Sequence, residues 1–125
     1  MTVKDDVFFR TFLAALVVKG VKHIRMKPSH LHYAFRVALR KINIPEFFCG
    51  IDLEWDPLYI RSAWLDRQLA QASYDLILEI RRGAPVHYKI HYGFSESQRL
   101  LLESKLRLKF LGLADEFLEI VASIV

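Results

Sequence analysis

The fold of this 125-residue chain depends on residues 74–92, which read YDLILEIRRGAPVHYKIHY. Apolar and polar residues alternate on both sides of a centre that contains Gly83 and Pro85, as they do in two half-buried strands joined by a turn. Five residues, 81–85, are enough to connect two antiparallel strands. The stretch therefore predicts a β-hairpin.

A single register of this hairpin satisfies both of its faces, because it brings together side chains that attract each other across the strands. It places Ile80 opposite Val86. The remaining predicted pairs are Leu78 with Tyr88, Leu76 with Ile90 and Tyr74 with Tyr92 on the apolar face, and Glu79 with His87 and Asp75 with His91 on the polar face.

The same residues also allow a second interpretation. A helix that begins at Pro57 keeps helical spacing of its apolar residues through Leu76 and Ile80 as far as Gly83. Such a helix would be about 39 Å long at 1.5 Å per residue. The chain would then be nearly all-α, and this alternative stays open at the level of the sequence.

The rest of the chain supplies several helices and two more strands. Helical periodicity or strand alternation identifies these segments. We predict helices over 3–19, 30–42, from 57 onward, 96–110 and 113–124, and strands over 51–55 and 21–26. The predicted fold is α+β, a small antiparallel or mixed sheet, built from the 74–92 hairpin and 51–55, packed against about five helices.

Residues typical of helix ends set the predicted boundaries. Ser29 is expected to cap helix 30–42, and Asp56 followed by Pro57 has the pattern of an N-cap and a first helical residue. Gly112 is expected to end helix 96–110. Helix 113–124 is apolar up to the last residues of the sequence, which predicts a homodimer through this C-terminal helix.

Composition limits the class of protein. Its length predicts one domain over 1–125, and an apolar content of 53% is that of a chain that folds. The single Cys49 excludes an intrachain disulfide and favours a reducing compartment. No apolar run approaches the ~20 residues of a membrane span and no export signal is recognised, so we expect a cytoplasmic protein without a membrane partner.

Charge is distributed unevenly along the chain. Residues 1–50 hold nine Lys and Arg against three Asp and Glu, whereas residues 51–125 hold nine against eleven. In the predicted helix 30–42, His32, Arg36 and Arg40 recur every four residues and should form an outward stripe opposite the apolar side. Lys27 and Ser29 should add a cation and a hydroxyl at the start of that helix, where free amides favour anions.

This basic region predicts contact with the phosphates of a nucleic acid. The predicted interface consists of Arg25, Lys27, Ser29, His32, Arg36, Arg40 and Lys41. The expected function is that of a small non-enzymatic nucleic-acid-binding regulator or accessory protein that uses its basic N-terminal half. The alternative is a protein–protein interaction adaptor, or a homo-oligomeric structural module, with no nucleic-acid role.

Other clusters give weaker indications of chemistry. Asp52, Glu54 and Asp56 share a face of the predicted strand, but they lack the Lys that nucleases place after such acids. His87 and His91 would lie ~13 Å apart on a strand, too far to share a zinc ion. Since Cys49 has no accompanying catalytic signature, we predict no catalytic residues, no metal and no cofactor.

Overall fold

Four helices and five short strands make up the residues that the computed structural model describes, which are 5–42, 54–91 and 107–124. In chain order the elements are α1 (Asp5–Val18), β1 (His23–Met26), α2 (Pro28–Lys41), β2 (Trp55–Asp56), β3 (Arg61–Ser62), α3 (Ala63–Tyr74), β4 (Leu78–Arg81), β5 (Val86–Ile90) and α4 (Arg107–Ile124). One antiparallel sheet has the strand order β1-β5-β4, and β2 pairs with β3 in a second. The α+β prediction is confirmed, and the nearly all-α alternative is wrong.

The three-stranded sheet contains the predicted hairpin and the short strand that precedes α2. Alternate residues of these strands are buried against the helices, as their period of two requires. The buried side chains of the sheet are Ile24, Met26, Leu78, Tyr88 and Ile90. Alternation therefore identified the inner face of both strands of the hairpin correctly.

The connection between α3 and β4 explains why both interpretations of residues 74–82 had support. Helical structure continues to Tyr74 and then stops, because Leu76 adopts a left-handed conformation with φ of 59°. The Ile77 N–H donates to the Ala72 carbonyl at 2.9 Å, which closes the turn into β4. Tyr74 and Leu76 are consequently exposed and lie outside the strand.

The predicted register of the hairpin is wrong by two residues. Leu78 lies opposite Ile90 and Ile80 lies opposite Tyr88, whereas Val86 pairs with Met26 of β1. A shift of two residues keeps every side chain on its predicted face, so alternation alone does not distinguish the two registers. In the observed one Glu79 faces Lys89, a pair of opposite charges.

The start of α3 differs from the prediction at Asp56 and Pro57. The Asp56 side chain caps a turn, since its Oδ1 accepts from the Leu58 N–H at 3.0 Å. The helix begins later, with Ser62 as the N-cap whose hydroxyl accepts from the Leu65 N–H at 3.3 Å. Asp followed by Pro suits a turn as well as a helix start. Of the predicted strand 51–55, residues 51–53 lie outside the described residues.

The predicted cap of α2 is also wrong. Lys27 is the N-cap residue and Pro28 is the first helical residue, without a side-chain capping bond. Proline is well suited to this position because its missing N–H would have had no partner in the helix. Ser29 lies inside the helix.

Aromatic side chains join α1, α2 and α4 into the core. The Phe12 ring packs edge-on against Phe35, with centroids 4.8 Å apart, and against Phe117, with centroids 5.2 Å apart. Each of the three rings is at least 98% buried. Since one phenylalanine from each helix meets at this point, the three helices are packed through a common centre.

Gly112 does not break the C-terminal helix, because α4 is continuous through it. A Cβ at Gly112 would lie 3.6 Å from Ile42 Cδ1, so the glycine lies where α4 packs against α2. Of the predicted helix 96–110, residues 96–106 lie outside the described residues.

The apolar side of α4 packs within the same chain. Phe110, Leu113, Ala114 and Phe117 are buried, and the apolar residues that follow are partly buried against the same core. These contacts account for the apolar pattern without a second subunit. The homodimer stays a prediction.

Candidate functional site: the basic sheet face

The outer face of the three-stranded sheet is rich in basic side chains. Because side chains alternate along a strand, the residues between the buried ones point away from the helices. We define the basic sheet face by these residues: His23 and Arg25 of β1, His87 and Lys89 of β5, and Glu79 and Arg81 of β4. The face therefore combines three permanent cations and two histidines with one carboxylate.

The strand register arranges these side chains in two transverse rows. Arg25 lies opposite His87, which lies opposite Arg81 on its other side. The second row contains His23, Lys89 and Glu79. Like charges in neighbouring strand positions repel each other and lower the stability of a sheet. The first row thus places one arginine on each side of a histidine, so its members repel one another whenever the histidine is protonated.

Within the face, the two histidines are paired. His23 Nδ1 and His87 Nε2 are 2.9 Å apart, and the rings are stacked with centroids separated by 5.1 Å. One nitrogen of this contact must carry the proton and the other must accept it. Partial loss of hydration and then the charges of Arg25, His23 and Arg81 lower the pKa of His87, and Glu79 opposes them. The arginines therefore supply the positive charge of this row near neutral pH, and Arg81 Nε also pairs with Glu79 Oε1 at 3.3 Å.

Two further cations lie just beyond the strands at one end of the sheet. Lys27 directly follows β1, and Arg82 directly follows β4, and both side chains are exposed. Since β1 and β4 each run antiparallel to β5, their last residues lie at the same end of the sheet. Both cations thus lie at the end of the sheet where the β4–β5 connection leaves it.

The structure divides the predicted interface between two surfaces. Arg25 and Lys27 belong to the sheet and its end, next to cations of β4 and β5. Arg36 and Lys41 lie along α2, where the Arg36 guanidinium is 4.6 Å from the centroid of the Trp55 ring and Lys41 Nζ is 3.4 Å from Glu116 Oε2. Arg40 is exposed on the same helix, and Ser29 is partly exposed in its first turn.

The predicted outward position of His32 is wrong, because this side chain is completely buried. Its Nδ1 accepts a hydrogen bond from the Ser62 N–H at 2.8 Å, and its Nε2 lies 3.2 Å from Asp66 Oδ1. Helix α2 packs against α4 on one side and against β3 on another, so its buried arc is wider than a single apolar stripe. Burial lowers the pKa of His32, and Arg61 adds to this effect, although Asp66 counteracts it.

Sequence reasoning missed Arg81, His87 and Lys89 as members of a basic surface. Their signal was present as alternation, because His23 and Arg25 repeat every second residue, as His87 and Lys89 do. Only the antiparallel pairing of β1 with β5 brings these two short patterns together.

The acidic cluster does not form a metal site among the described residues. Glu54 accepts from Arg67 Nη2 at 2.7 Å, while Asp56 caps its turn; Asp52 lies outside the described residues. Within 5–42, 54–91 and 107–124, no group of three or more His, Cys, Asp or Glu is close enough to hold a metal ion.

None of the helices in the described part of the chain is long and apolar enough to cross a membrane. In comparisons with known proteins, no family model, no curated protein and no solved structure matches this chain.

Proposed function

We propose that this protein is a small non-enzymatic module that binds the phosphate backbone of nucleic acid through the basic sheet face. The observation that supports the proposal is the row formed by Arg25, His87 and Arg81 across three strands. Adjacent strands are ~4.8 Å apart, so the row extends over roughly 10 Å. An anion that bridges the row would relieve the repulsion between its members.

The chemistry of the face suits a backbone more than a base. Arginine binds phosphate oxygens with two parallel hydrogen bonds, and Lys89 adds a point charge one row away. Of the described residues on this face, none is Phe, Tyr or Trp, the side chains on which bases usually stack. We therefore expect binding with little sequence preference and strong dependence on salt.

The test compares two double variants that remove the same charge from different surfaces. R25Q/R81Q changes the basic sheet face, and R36Q/R40Q changes the outer side of α2, which the sequence predicted as the interface. Fluorescence anisotropy with a labelled single strand and a labelled duplex measures affinity over a range of salt concentrations. Circular dichroism verifies that both variants remain folded.

We expect R25Q/R81Q to weaken binding to every sequence and to flatten the slope of log affinity against log salt by about two units, one per lost phosphate contact. R36Q/R40Q should change both quantities much less. If R36Q/R40Q weakened binding more than R25Q/R81Q, the interface would lie on α2 and not on the basic sheet face. If the unmodified protein does not bind either probe at low salt, nucleic-acid binding is wrong and the adaptor function replaces it.

A further inference from the structure

A cleft lies on the opposite side of the sheet from the basic sheet face. It opens between the first turns of α2, the middle of α3 and the β4–β5 connection, and it encloses about 520 Å³. Pockets of roughly 300–1,000 Å³ are the size that holds small organic ligands. Its polar lining comes from His32, Arg61, Asp66, Arg82 and Tyr88.

The backbone N–H of Ser62 determines which ring nitrogen of His32 carries the proton. Because the Ser62 N–H donates to Nδ1 at 2.8 Å, that nitrogen holds a lone pair and the proton of the neutral ring is on Nε2. The ring is completely buried, and Nε2 has no hydrogen-bond partner among the described residues. Asp66 Oδ1 is the nearest anionic atom, 3.2 Å from Nε2, but it forms no hydrogen bond with that nitrogen.

An unpartnered donor of this kind indicates a group that the cleft is built to receive. Buried polar atoms in folded proteins are nearly always hydrogen-bonded, so an exception requires an explanation. His32 is one of the residues that line the cleft. A ligand atom that accepts a hydrogen bond from Nε2 would complete its bonding.

The charges around the cleft select an anion as that ligand. Arg61 Nη2 lies 3.2 Å from Asp66 Oδ1, so these two residues largely neutralise each other. Arg82 then leaves one positive charge in excess at the cleft. Burial raises the pKa of Tyr88, which keeps its hydroxyl protonated and able to donate.

The remaining lining is apolar. Leu69 and Ala70 of α3 lie on one side, and Ile80 and Val86 of the hairpin lie on the other. Such walls bury the carbon skeleton of a ligand, while a few polar groups orient it.

We propose that this cleft binds a small organic anion, with its carboxylate or phosphate group at His32 Nε2 and Arg82 and its apolar body between α3 and the hairpin. The site is separate from the basic sheet face and requires no nucleic acid. A carboxylate and a phosphate could each accept hydrogen bonds from His32 Nε2 and Arg82, and the experiment below distinguishes between these two groups.

The experiment titrates isotopically labelled protein with phenyl phosphate, phenylacetate or the uncharged benzyl alcohol and follows the His32 ring by NMR. At least one of the two anions should give saturable shifts at His32 and at the backbone of Ala70. The expected dissociation constant is in the millimolar range, as is usual for probes of about ten heavy atoms. Benzyl alcohol should bind at least about tenfold more weakly, the factor that one charge-assisted hydrogen bond supplies.

Two pairs of variants locate the binding. A70F fills the cleft from an exposed position of α3, and A122F adds the same side chain at an exposed position of α4. R82Q removes the excess charge, and R107Q removes an exposed arginine at the start of α4. We expect A70F to abolish the shifts and R82Q to weaken binding about tenfold, while both controls bind like the unmodified protein.

Loss of binding in R25Q/R81Q would place the anion on the basic sheet face and overturn the proposal. The proposal is equally wrong if neither anion gives a saturable shift at His32, or if A70F binds like A122F. Because this titration contains no nucleic acid, its failure leaves the proposed function of the sheet face unaffected.

Discussion

The stability of the protein should fall with acidification because His32 is folded in its neutral form. Its pKa is lowered in the folded state, mainly by burial, whereas an unfolded chain returns it to about 6.5. Below about pH 6.5 the unfolded state therefore binds a proton that the folded state binds less readily. In that range the contribution of His32 to stability is progressively lost.

The size of the effect follows from one proton. The free energy of unfolding should decrease by at most about 1.4 kcal/mol per pH unit between pH 6.5 and the lowered pKa of His32. Protonation would also place a hydrogen on Nδ1 against the Ser62 N–H, so the folded state has a structural reason to resist it. Urea unfolding at several values from about pH 7.5 to about pH 5 measures this slope.

The variant H32N isolates the contribution of the ring. An asparagine Oδ1 occupies nearly the place of Nδ1 and can still accept from the Ser62 N–H, but it does not titrate. The variant should be less stable at neutral pH, and its disadvantage should shrink as the pH falls. His87 is present in both proteins, so its contribution cancels when the stability of H32N is subtracted from that of the unmodified protein. A difference in stability that does not change with pH, or an NMR titration of His32 with a pKa at or above 6.5, would refute this reasoning.

Three further predictions concern the packing of the helices. G112A should raise the free energy of unfolding by about 0.5–1 kcal/mol, because the new methyl group would lie at an ordinary contact distance from Ile42 and alanine favours a helix; a lower denaturation midpoint would contradict this. F117A should cost about 3–5 kcal/mol in urea unfolding, since its ring is fully buried, and a loss below about 1 kcal/mol would mean that the ring is not part of the core. Arg10 Nη2 lies 2.6 Å from Asp75 Oδ2, so a double-mutant cycle with R10Q and D75N should give a coupling of about 0.5–1 kcal/mol; additive effects would show that the pair contributes nothing.

Local patterns identified most of the helices and strands, but not β3 or the start of α3. The strand predicted over 21–26 is present as β1, with Ile24 buried, and Phe35 of the predicted helix 30–42 lies in the core. Such patterns depend only on which side of a helix or strand is buried, and the spacing of the apolar residues indicates that side.

Patterns failed where the outcome depended on a distant segment. His32 belongs to a stripe of polar spacing, but β3 covers that side of α2 and Ser62 supplies a donor thirty positions away in the chain. Asp75, which the sequence paired with His91, instead binds Arg10 of α1. Neither contact leaves a periodic signal, so only the tertiary arrangement reveals it.

Only part of the candidate site was predicted, because the rest depends on contacts between distant segments of the chain. Arg25 and Lys27 were identified from the density of basic residues along the chain. Arg81 and Lys89 were missed because they become neighbours of Arg25 only through the pairing of β5 with both outer strands. A search for short alternating basic segments, independent of their distance in the sequence, would have grouped them.

Within the described residues, the strand order β1-β5-β4 leaves two open edges, each only four residues long. An open edge offers unpaired backbone groups to another chain, and short length together with charged side chains is a common defence against such templated association. Arg25 lies on one edge strand and Arg81 on the other. Their neutralisation should therefore make the protein more prone to self-association at high concentration, so light scattering belongs beside every binding measurement on R25Q/R81Q.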